Sequence, residues 1–227
     1  MFLIIFSLFP ELRTADEFGF GNISRFLENS LFITYEKLYS LPELQTVKAV
    51  WKTKTYGIGI SHFGSSFYRE LAIESDYKVR SENTIFITEP SLLYLYQESK
   101  GELGFCLDFS FVLFLLNYEF SIRTFKILSW IKNTTIPTEL ELSGAYSDEW
   151  NEFGIKINFL ENWGINMGFG YKIKFPRFTA SLGLLTNPLV PTIGFSFEGA
   201  LLRLSIGLQN HPELGFSEIF TIYYRKR

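Results

Sequence analysis

One pattern constrains this chain more than any other: apolar residues alternate with small or polar ones along most of its length. Between Leu103 and Leu115, every odd-numbered position is Phe or Leu, while the even positions from Gly104 to Val112 are Gly, Cys, Asp, Ser and Val. Successive side chains of a β-strand point to opposite faces, so such a segment has one apolar face and one small or polar face. The pattern predicts an all-β fold.

The alternation recurs in many segments that are separated by turn-forming Gly, Pro, Asn and Asp residues. Clear examples are Phe153–Phe159, Ile165–Lys174, Arg177–Leu184, Ile193–Glu198 and Leu202–Leu208, with weaker versions in Tyr56–Ser61, Tyr68–Tyr77, Tyr118–Ile122 and Leu140–Tyr146. Most connections are short, which favours antiparallel hairpins. We expect about 14 strands, in the range of 12 to 14, between Leu31 and Tyr224.

Two segments depart from simple alternation. Thr84–Tyr96 carries apolar residues on both faces and contains Pro90, so we expect a bulge or bend there that switches the register. The apolar positions also change parity between Ile122 and Phe125, which predicts a second irregularity near Thr124.

The composition of the two faces indicates which side is outside. A soluble surface is normally rich in charged residues, yet the second face here consists mainly of Gly, Ser, Thr and Asn. The apolar face is long and aromatic, in a chain with 25 Phe, 12 Tyr and 4 Trp. We therefore predict an antiparallel up-and-down transmembrane β-barrel with its apolar face toward lipid. A soluble β-barrel or sandwich is the alternative.

Aromatic side chains near strand ends support the membrane interpretation. Trp and Tyr are enriched at membrane–water interfaces, and the four tryptophans are Trp51, Trp130, Trp150 and Trp163. The last strand closes the chain with alternating Phe220, Ile222 and Tyr224, similar to the C-terminal signal that the barrel assembly machinery of the bacterial outer membrane recognises. The basic residues 225–227 that follow depart from that signal.

The N-terminal region differs from the rest of the chain. The chain begins with a short apolar stretch, Met1–Phe9, followed by Thr14-Ala15 as a possible cleavage point, and residues 1–15 are interpreted as a signal peptide that lacks its basic region. Residues 16–30 are expected to form a short helix or a plug before the barrel, which spans 31–227. No apolar run is long enough for a transmembrane helix.

Charged residues on the second face are expected to face the barrel lumen. They are Glu70, Glu74, Asp76, Asp108, Glu139, Glu141, Lys156, Lys172 and Arg203. The acidic ones could bias a pore toward cations. Because buried charges are normally paired, the preferred interpretation is that they pair across a closed lumen with Lys156, Lys172, Lys174 and Arg203.

The sequence contains no recognisable motif for catalysis or for binding a cofactor or a metal. There is no phosphate-binding glycine loop, no G-x-S-x-G motif, and a single cysteine, Cys106. The one catalytic grouping to consider is His62 with Ser61 and Asp76, which is disfavoured. A net charge of −3 gives no reason to expect nucleic-acid binding.

Two short stretches resemble a known family. Gly57–Gly64 followed by Tyr68-Arg69-Glu70, and His211–Phe216, look like parts of PorV/PorQ-type barrels, which are relatives of the FadL long-chain fatty-acid transporters. The resemblance implies a barrel of about 14 strands. The family's Asn-Pro-Ala segment is absent, since residues 25–30 read RFLENS, and this departure weakens the case for a FadL-like hatch.

Two functions follow from the resemblance. The first is transport of small hydrophobic or amphiphilic molecules across the outer membrane of a Gram-negative bacterium. The second is a closed PorV-like barrel that acts as a scaffold for secretion-system or surface proteins. Neither cargo nor partner is specified by the sequence.

Overall fold

The chain forms one closed sheet in which consecutive strands pair in antiparallel fashion and β14 returns to pair with β1. This computed structural model describes residues 14–20, 30–65, 68–97, 100–131, 137–161 and 164–225. A helix, α1 (Ala15–Gly19), precedes the strands. The strands are β1 (Ser30–Lys37), β2 (Gln45–Lys52), β3 (Tyr56–Gly64), β4 (Tyr68–Arg80), β5 (Thr84–Gln97), β6 (Lys100–Leu115), β7 (Tyr118–Ile131), β8 (Glu139–Ser147), β9 (Asn151–Leu160), β10 (Gly164–Lys174), β11 (Phe178–Thr186), β12 (Leu189–Glu198), β13 (Leu202–His211) and β14 (Gly215–Arg225).

The predicted all-β barrel of 14 antiparallel strands is therefore confirmed. A sandwich is not formed, because the sheet closes on itself instead of dividing into two packed layers. No helix in the described part of the chain is long and apolar enough to cross a membrane. Residues 1–13, 21–29 and 226–227 and Trp163 lie outside the described residues, so the signal peptide, most of the predicted plug segment and the end of the basic tail stay predictions.

The two ends of the barrel differ in the connections between their strands. At the termini end, where β1 begins at Ser30 and β14 ends at Arg225, the hairpins are joined by two or three residues. At the opposite end, called the loop end, the connections are two to seven residues long. A short 3-10 turn, Leu38–Ser40, lies in one of the longer ones.

The outward face is apolar on all sides of the barrel. On β3, for example, Ile58 and Ile60 are about half exposed while Gly57, Gly59 and Ser61 are buried. Outward-facing Leu92, Leu182 and Leu204 are 50–62% exposed on three other strands. The inward face instead carries the buried polar and charged side chains, so the distribution is the reverse of that in a soluble protein.

Aromatic side chains form a band at the termini end. Its members are Trp51, Tyr56, Tyr118, Tyr146, Trp150, Phe175, Phe178 and Tyr224. Several of them are in contact, with ring centroids 5.6 Å apart for Trp51 and Tyr56 and 5.2 Å apart for Tyr118 and Tyr146. Trp130 lies at the loop end and is 63% exposed.

The predicted register switch at Pro90 is wrong. Pairing of β4 with β5 is interrupted there, but Glu74↔Ser91 and Tyr77↔Thr88 belong to the same register on either side. Proline removes a donor N–H from the ladder without inserting a residue, so the parity of β5 does not change. The apolar residues on its second face point into the barrel, where Ile85, Ile87, Leu93 and Leu95 are buried.

The predicted irregularity near Thr124 is confirmed. The register between β6 and β7 shifts between Leu107↔Leu128 and Phe109↔Thr124, so that extra residues of β7 lie opposite Asp108. Lys126, within this bulge, has a φ of 59°, and its backbone N–H donates to the Asp108 carboxylate. The carboxylate thereby replaces an acceptor that the interrupted ladder no longer supplies.

Candidate functional site

The candidate site is the lumen, because most buried polar and charged side chains of the barrel point into it. All nine charged residues predicted from the sequence occupy the inward-facing positions of their strands; these are Glu70, Glu74, Asp76, Asp108, Glu139, Glu141, Lys156, Lys172 and Arg203. Burial is strong at several of them, since Glu70 is 1% and Glu141 0% exposed. Such groups need partners in the lumen itself.

One of the expected ion pairs is formed. The Glu141 carboxylate lies 3.4 Å from Lys156 Nζ and 3.9 Å from Arg123 Nε. Because Glu141 and Lys156 are on neighbouring strands in the register Ser143↔Lys156, the pair follows from the hairpin that joins β8 to β9.

Other basic residues have partners that the sequence interpretation missed. Glu152 lies between Lys172 and Lys174, at 3.3 and 3.4 Å. Asp76 is 3.1 Å from Lys78 and 3.8 Å from Lys52. Alternation could have found Glu152, which shares a face with Lys156 on β9, and Lys78, which shares a face with Asp76 on β4.

A separate acidic row crosses the inner wall of β4–β6. Glu89 on β5 lies directly opposite Asp108 on β6 in the strand register. Two interruptions of the ladder lie in this row, the one beside Pro90 and the bulge opposite Asp108. On the other side of Glu89, Asp76 of β4 lies opposite it across the interrupted part of the β4–β5 ladder. Asp76, Glu89 and Asp108 therefore lie at one level of the lumen.

Two apolar patches flank that row on the same wall. Toward the loop end, the first patch comprises Ala72, Leu93, Leu95, Cys106 and Ile131. Toward the termini end, the second patch comprises Ile85, Ile87, Val112 and Phe114. Cys106 is buried and unbridged, as expected for a small apolar filler.

The helix α1 lies inside the barrel against the inner faces of β11–β14. Thr14 begins it with a capping box, in which its side chain accepts from Glu17 N and the Glu17 carboxylate accepts from Thr14 N at 2.8 Å. Ala15 N donates to Thr221 Oγ1 at 2.8 Å, and Thr192 Oγ1 donates to the carbonyl oxygen of Gly19 at 3.1 Å. Both ends of α1 are thus bonded to the wall.

The wall forms a recess for α1, called here the α1 seat and made of Gly170, Lys172, Ser181, Gly194, Ser196 and Arg203. Arg203 Nη2 lies 2.9 Å from Asp16 Oδ2, and Ser196 donates to Asp16 Oδ1. The Phe20 ring is fully buried, with Lys172 Nζ 4.2 Å from its centroid. The sequence pattern gave no signal for this contact, because α1 carries no strand alternation.

Glycines make the close approach possible. A methyl group at Gly19 would collide with the backbone of Gly194, and one at Gly170 would collide with the Phe20 ring. The observed docking of α1 therefore requires glycine at positions 19 and 170, where any side chain would collide.

The other candidates are not brought together. Ser61 and Asp76 are buried on the inward face, whereas His62 points outward on β3, so the three do not form a catalytic grouping. Within the described residues, His, Cys, Asp and Glu side chains form no group of three suited to a metal ion. Phe220, Ile222 and Tyr224 face outward on β14 and are 40–49% exposed.

Comparison with known proteins identifies the fold but no family. No protein-family model matches the sequence, and no curated protein matches it. Among solved structures, the chain is similar to the outer membrane protein Omp33 of Acinetobacter baumannii, with 5% identity, a TM-score of 0.55, and coverage of 87% of this chain and 97% of that one.

Two further structures have the same fold. A TodX mutant described as a monoaromatic hydrocarbon channel is 9% identical, with a TM-score of 0.60 over 93% of this chain and 97% of that one. The KdgM porin in complex with disordered oligogalacturonate is 8% identical, with a TM-score of 0.51 over 87% and 99%. At these identities the likeness establishes a shared barrel architecture.

Proposed function

We propose that the protein spans the bacterial outer membrane as a β-barrel and carries small apolar or amphiphilic molecules across it. The observation that carries the proposal is the reversed distribution of side chains, in which a closed sheet has apolar residues outside and charges inside. Such a surface is stable in lipid and would aggregate in water.

The aromatic band supports the position of the membrane. Trp and Tyr rings prefer the interface between headgroups and hydrocarbon, and the band follows the termini end of the barrel. Strands of 9–11 residues suffice to cross a bilayer when tilted, and β9–β14 have 9 to 11 residues each.

The inner wall supports the class of cargo. The two apolar patches lie on β4–β7, and the wall that faces them holds the short helix α1. The buried members of the two patches are at most 6% exposed, so a small apolar or amphiphilic molecule would contact them only after the interior of the barrel rearranges. The fold is shared with the TodX hydrocarbon channel and the KdgM porin, which agrees with transport of small molecules.

Membrane insertion is tested by gel mobility of the detergent-purified protein with and without boiling. Small barrels stay folded in cold detergent, so we expect different mobility for the two samples and recovery of the protein from the outer-membrane fraction. Recovery in the soluble fraction without a mobility difference would overturn the barrel's location in the membrane.

Transport is tested with proteoliposomes and 4-nitrophenyl glucoside, an amphiphile whose sugar slows its passage through bare lipid. We expect faster uptake than in protein-free liposomes, and little uptake of sucrose, which has no apolar part. The Gly19→Ala variant, which displaces α1, should increase uptake, whereas Gly144→Ala, where a methyl group meets only ordinary contacts, should not. Uptake no faster than in protein-free liposomes would contradict transport.

The second candidate function is a closed scaffold for secretion or surface proteins, as the PorV resemblance implies. It is favoured by the buried, ion-paired lumen, in which Lys48, Glu70 and Glu141 are at most 1% exposed. Affinity purification from native outer membranes should then recover secretion components with the barrel, while liposomes should show no uptake. Purification of the barrel alone would argue against the scaffold.

We further propose that β14 is the strand that the barrel assembly machinery recognises. Its outward Phe220, Ile222 and Tyr224 are the residues that an assembly factor could contact before the barrel closes against β1. Replacing Phe220 by Ser should lower the amount of assembled barrel in cells, while Phe216→Ser, outside the predicted signal, should lower it less.

A further inference from the structure

We infer that the α1 seat is a binding site for an arylalkanoate, a carboxylate joined to an aromatic ring by a short chain, and that α1 occupies this site with its own side chains. This inference deepens the proposed transport function, on which it rests, by naming a class of cargo. It is carried by the contacts of Asp16 and Phe20 with the wall.

The first part of the seat binds a carboxylate. Each oxygen of Asp16 has its own donor, Arg203 Nη2 at 2.9 Å for Oδ2 and the Ser196 hydroxyl for Oδ1. Arg203 Nη2 also lies 3.2 Å from Ser196 Oγ, so the two donors are held together. Hydrogen bonds from a guanidinium to a carboxylate are charge-assisted and stronger than neutral ones, so Arg203 dominates this part of the seat.

Asp16 leaves one hydrogen-bond donor of the seat unused. Arg203 Nε is buried and, among the described residues, no acceptor bonds to it. The guanidinium can donate two parallel hydrogen bonds to a carboxylate, from Nε and from one Nη. A free carboxylate, unlike one fixed to α1, can turn to accept both, so it gains a bond that Asp16 lacks.

The second part of the seat binds an aromatic ring. The Phe20 ring is 0% exposed, with Lys172 Nζ over its face at 4.2 Å from the centroid. A cation over a ring face is attractive, particularly where water is excluded. The absence of a side chain at Gly170 provides the space that the ring fills.

The spacing of the two parts sets the length of the ligand. Four residues of helix separate Asp16 from Phe20, which corresponds to about 6 Å along the axis. Benzoate is too short to reach both parts, whereas a ring and a carboxylate joined by three methylene groups can reach them. 4-Phenylbutyrate is therefore the probe of choice.

Self-occupancy of the seat predicts weak binding in the natural protein. A tethered group competes at an effective concentration in the millimolar range, so α1 masks the site. Asp16→Asn removes the charge from the competing side chain and leaves the wall intact. We expect this variant to bind 4-phenylbutyrate about tenfold more tightly than the natural sequence, since the competing side chain keeps an acceptor oxygen but loses the negative charge that faces Arg203.

The test is isothermal titration calorimetry on the full-length barrel in detergent. The uncharged 4-phenylbutyramide tests the carboxylate contact, and butyrate, which lacks the ring, tests the Phe20 position. We expect neither to bind the Asp16→Asn variant measurably at the concentrations at which 4-phenylbutyrate saturates it. Arg203→Met in the Asp16→Asn background should abolish binding, and Arg203→Lys, which lacks the fork, should weaken it.

The gel-mobility assay establishes that each variant is a folded barrel, and Lys172→Met replaces Arg203→Met if the latter is not. Equal affinity for 4-phenylbutyramide, no gain from Asp16→Asn, or no loss from the folded Arg203 or Lys172 variant would each overturn the site. Binding of 4-phenylbutyrate without uptake of 4-nitrophenyl glucoside would overturn transport and leave the site standing. Uptake of 4-nitrophenyl glucoside without binding of 4-phenylbutyrate would overturn the site and leave transport standing.

Discussion

The inner walls on the two sides of the barrel are built differently. On one side, β4–β7 have 13 to 16 residues, carry large apolar side chains and an acidic row inside, and contain both interruptions of the ladder. On the other side, β10–β14 have 9 to 11 residues and carry many small inward residues (Gly, Ser and Thr) beside Lys172 and Arg203. The first wall fills its part of the lumen with its own side chains.

The second wall leaves space, and α1 occupies it. Small inward residues at Gly170, Ser181 and Gly194 allow the backbone of α1 to touch the sheet. A barrel interior must be filled by side chains or by another segment, and this chain uses both solutions. The difference indicates that α1 is the element most able to move, because it fills the lumen without being part of the sheet.

The largest expected effect concerns what the two walls share, their outward face. Leu92→Arg on β5 and Ile206→Arg on β13 should each destabilise the barrel in lipid by about 2–4 kcal/mol, because a charge at mid-membrane depth is poorly solvated. Leu202→Arg at the strand end should cost about 1 kcal/mol or less. Urea unfolding in lipid vesicles, followed by tryptophan fluorescence, measures these changes. Equal costs at all three positions would contradict the assigned membrane position.

The next effect separates the walls. Gly19→Ala should weaken the docking of α1 by about 1–3 kcal/mol through overpacking against Gly194, while the strands stay folded. Limited proteolysis should then cleave near α1 faster than in the natural protein, and gel mobility should be unchanged. Gly144→Ala serves as the control, and faster cleavage in both variants would show that the seat is not responsible.

A smaller effect is expected in the first wall. Asp108→Ala removes the acceptor for the Lys126 N–H at the bulge and should cost about 1–2 kcal/mol, the usual effect of leaving a backbone donor without its partner. Asp108→Asn keeps an acceptor oxygen and should cost less. Urea unfolding compares the two variants. If Asn were as destabilising as Ala, the role of Asp108 would be its charge.

The smallest effect is expected in the turn between β8 and β9, which connects the two sides. Hydrogen bonds from the backbone N–H groups of Asn151 and Trp150 lower the pKa of the partly exposed Asp148 below its ordinary value of 3.8. Asp148 therefore stabilises the fold above that value and loses its contribution as the pH falls through the lowered pKa. Asp148→Ala should unfold slightly earlier in urea at neutral pH, and the difference should shrink in acid. A difference independent of pH would mean that the charge is not involved.

The sequence interpretation succeeded wherever strand alternation carried the information. It predicted 14 strands and the apolar composition of one face from repeated alternation between turn signals. Apolar residues out of phase marked the irregularity near Thr124, although the two-residue shift of register leaves the even-numbered positions outward on both sides of it. It was wrong at Pro90, since apolar residues on both faces were explained by a register switch. The actual cause is that β5 contributes inward residues to two apolar patches in the lumen, which alternation cannot distinguish from a switch.

Within the lumen, the sequence was informative only about which side chains point inward. Glu141 and Lys156 were expected to pair and do, whereas Arg203 was expected to pair with an acid of the strands and instead binds Asp16 of α1. A partner within one hairpin follows from register, but a partner from a separate segment does not.

By itself, the sequence determined the all-β class, the strand number and the two-sided character of the wall, because a period of two residues is a local property of extended chain. Closure of β1 on β14, the position of α1 and the joining of Asp16 and Phe20 to β10–β13 were decided only by the tertiary structure. These contacts join residues more than 150 positions apart. Their geometry depends on how the barrel closes, and no periodic signal in the chain encodes it.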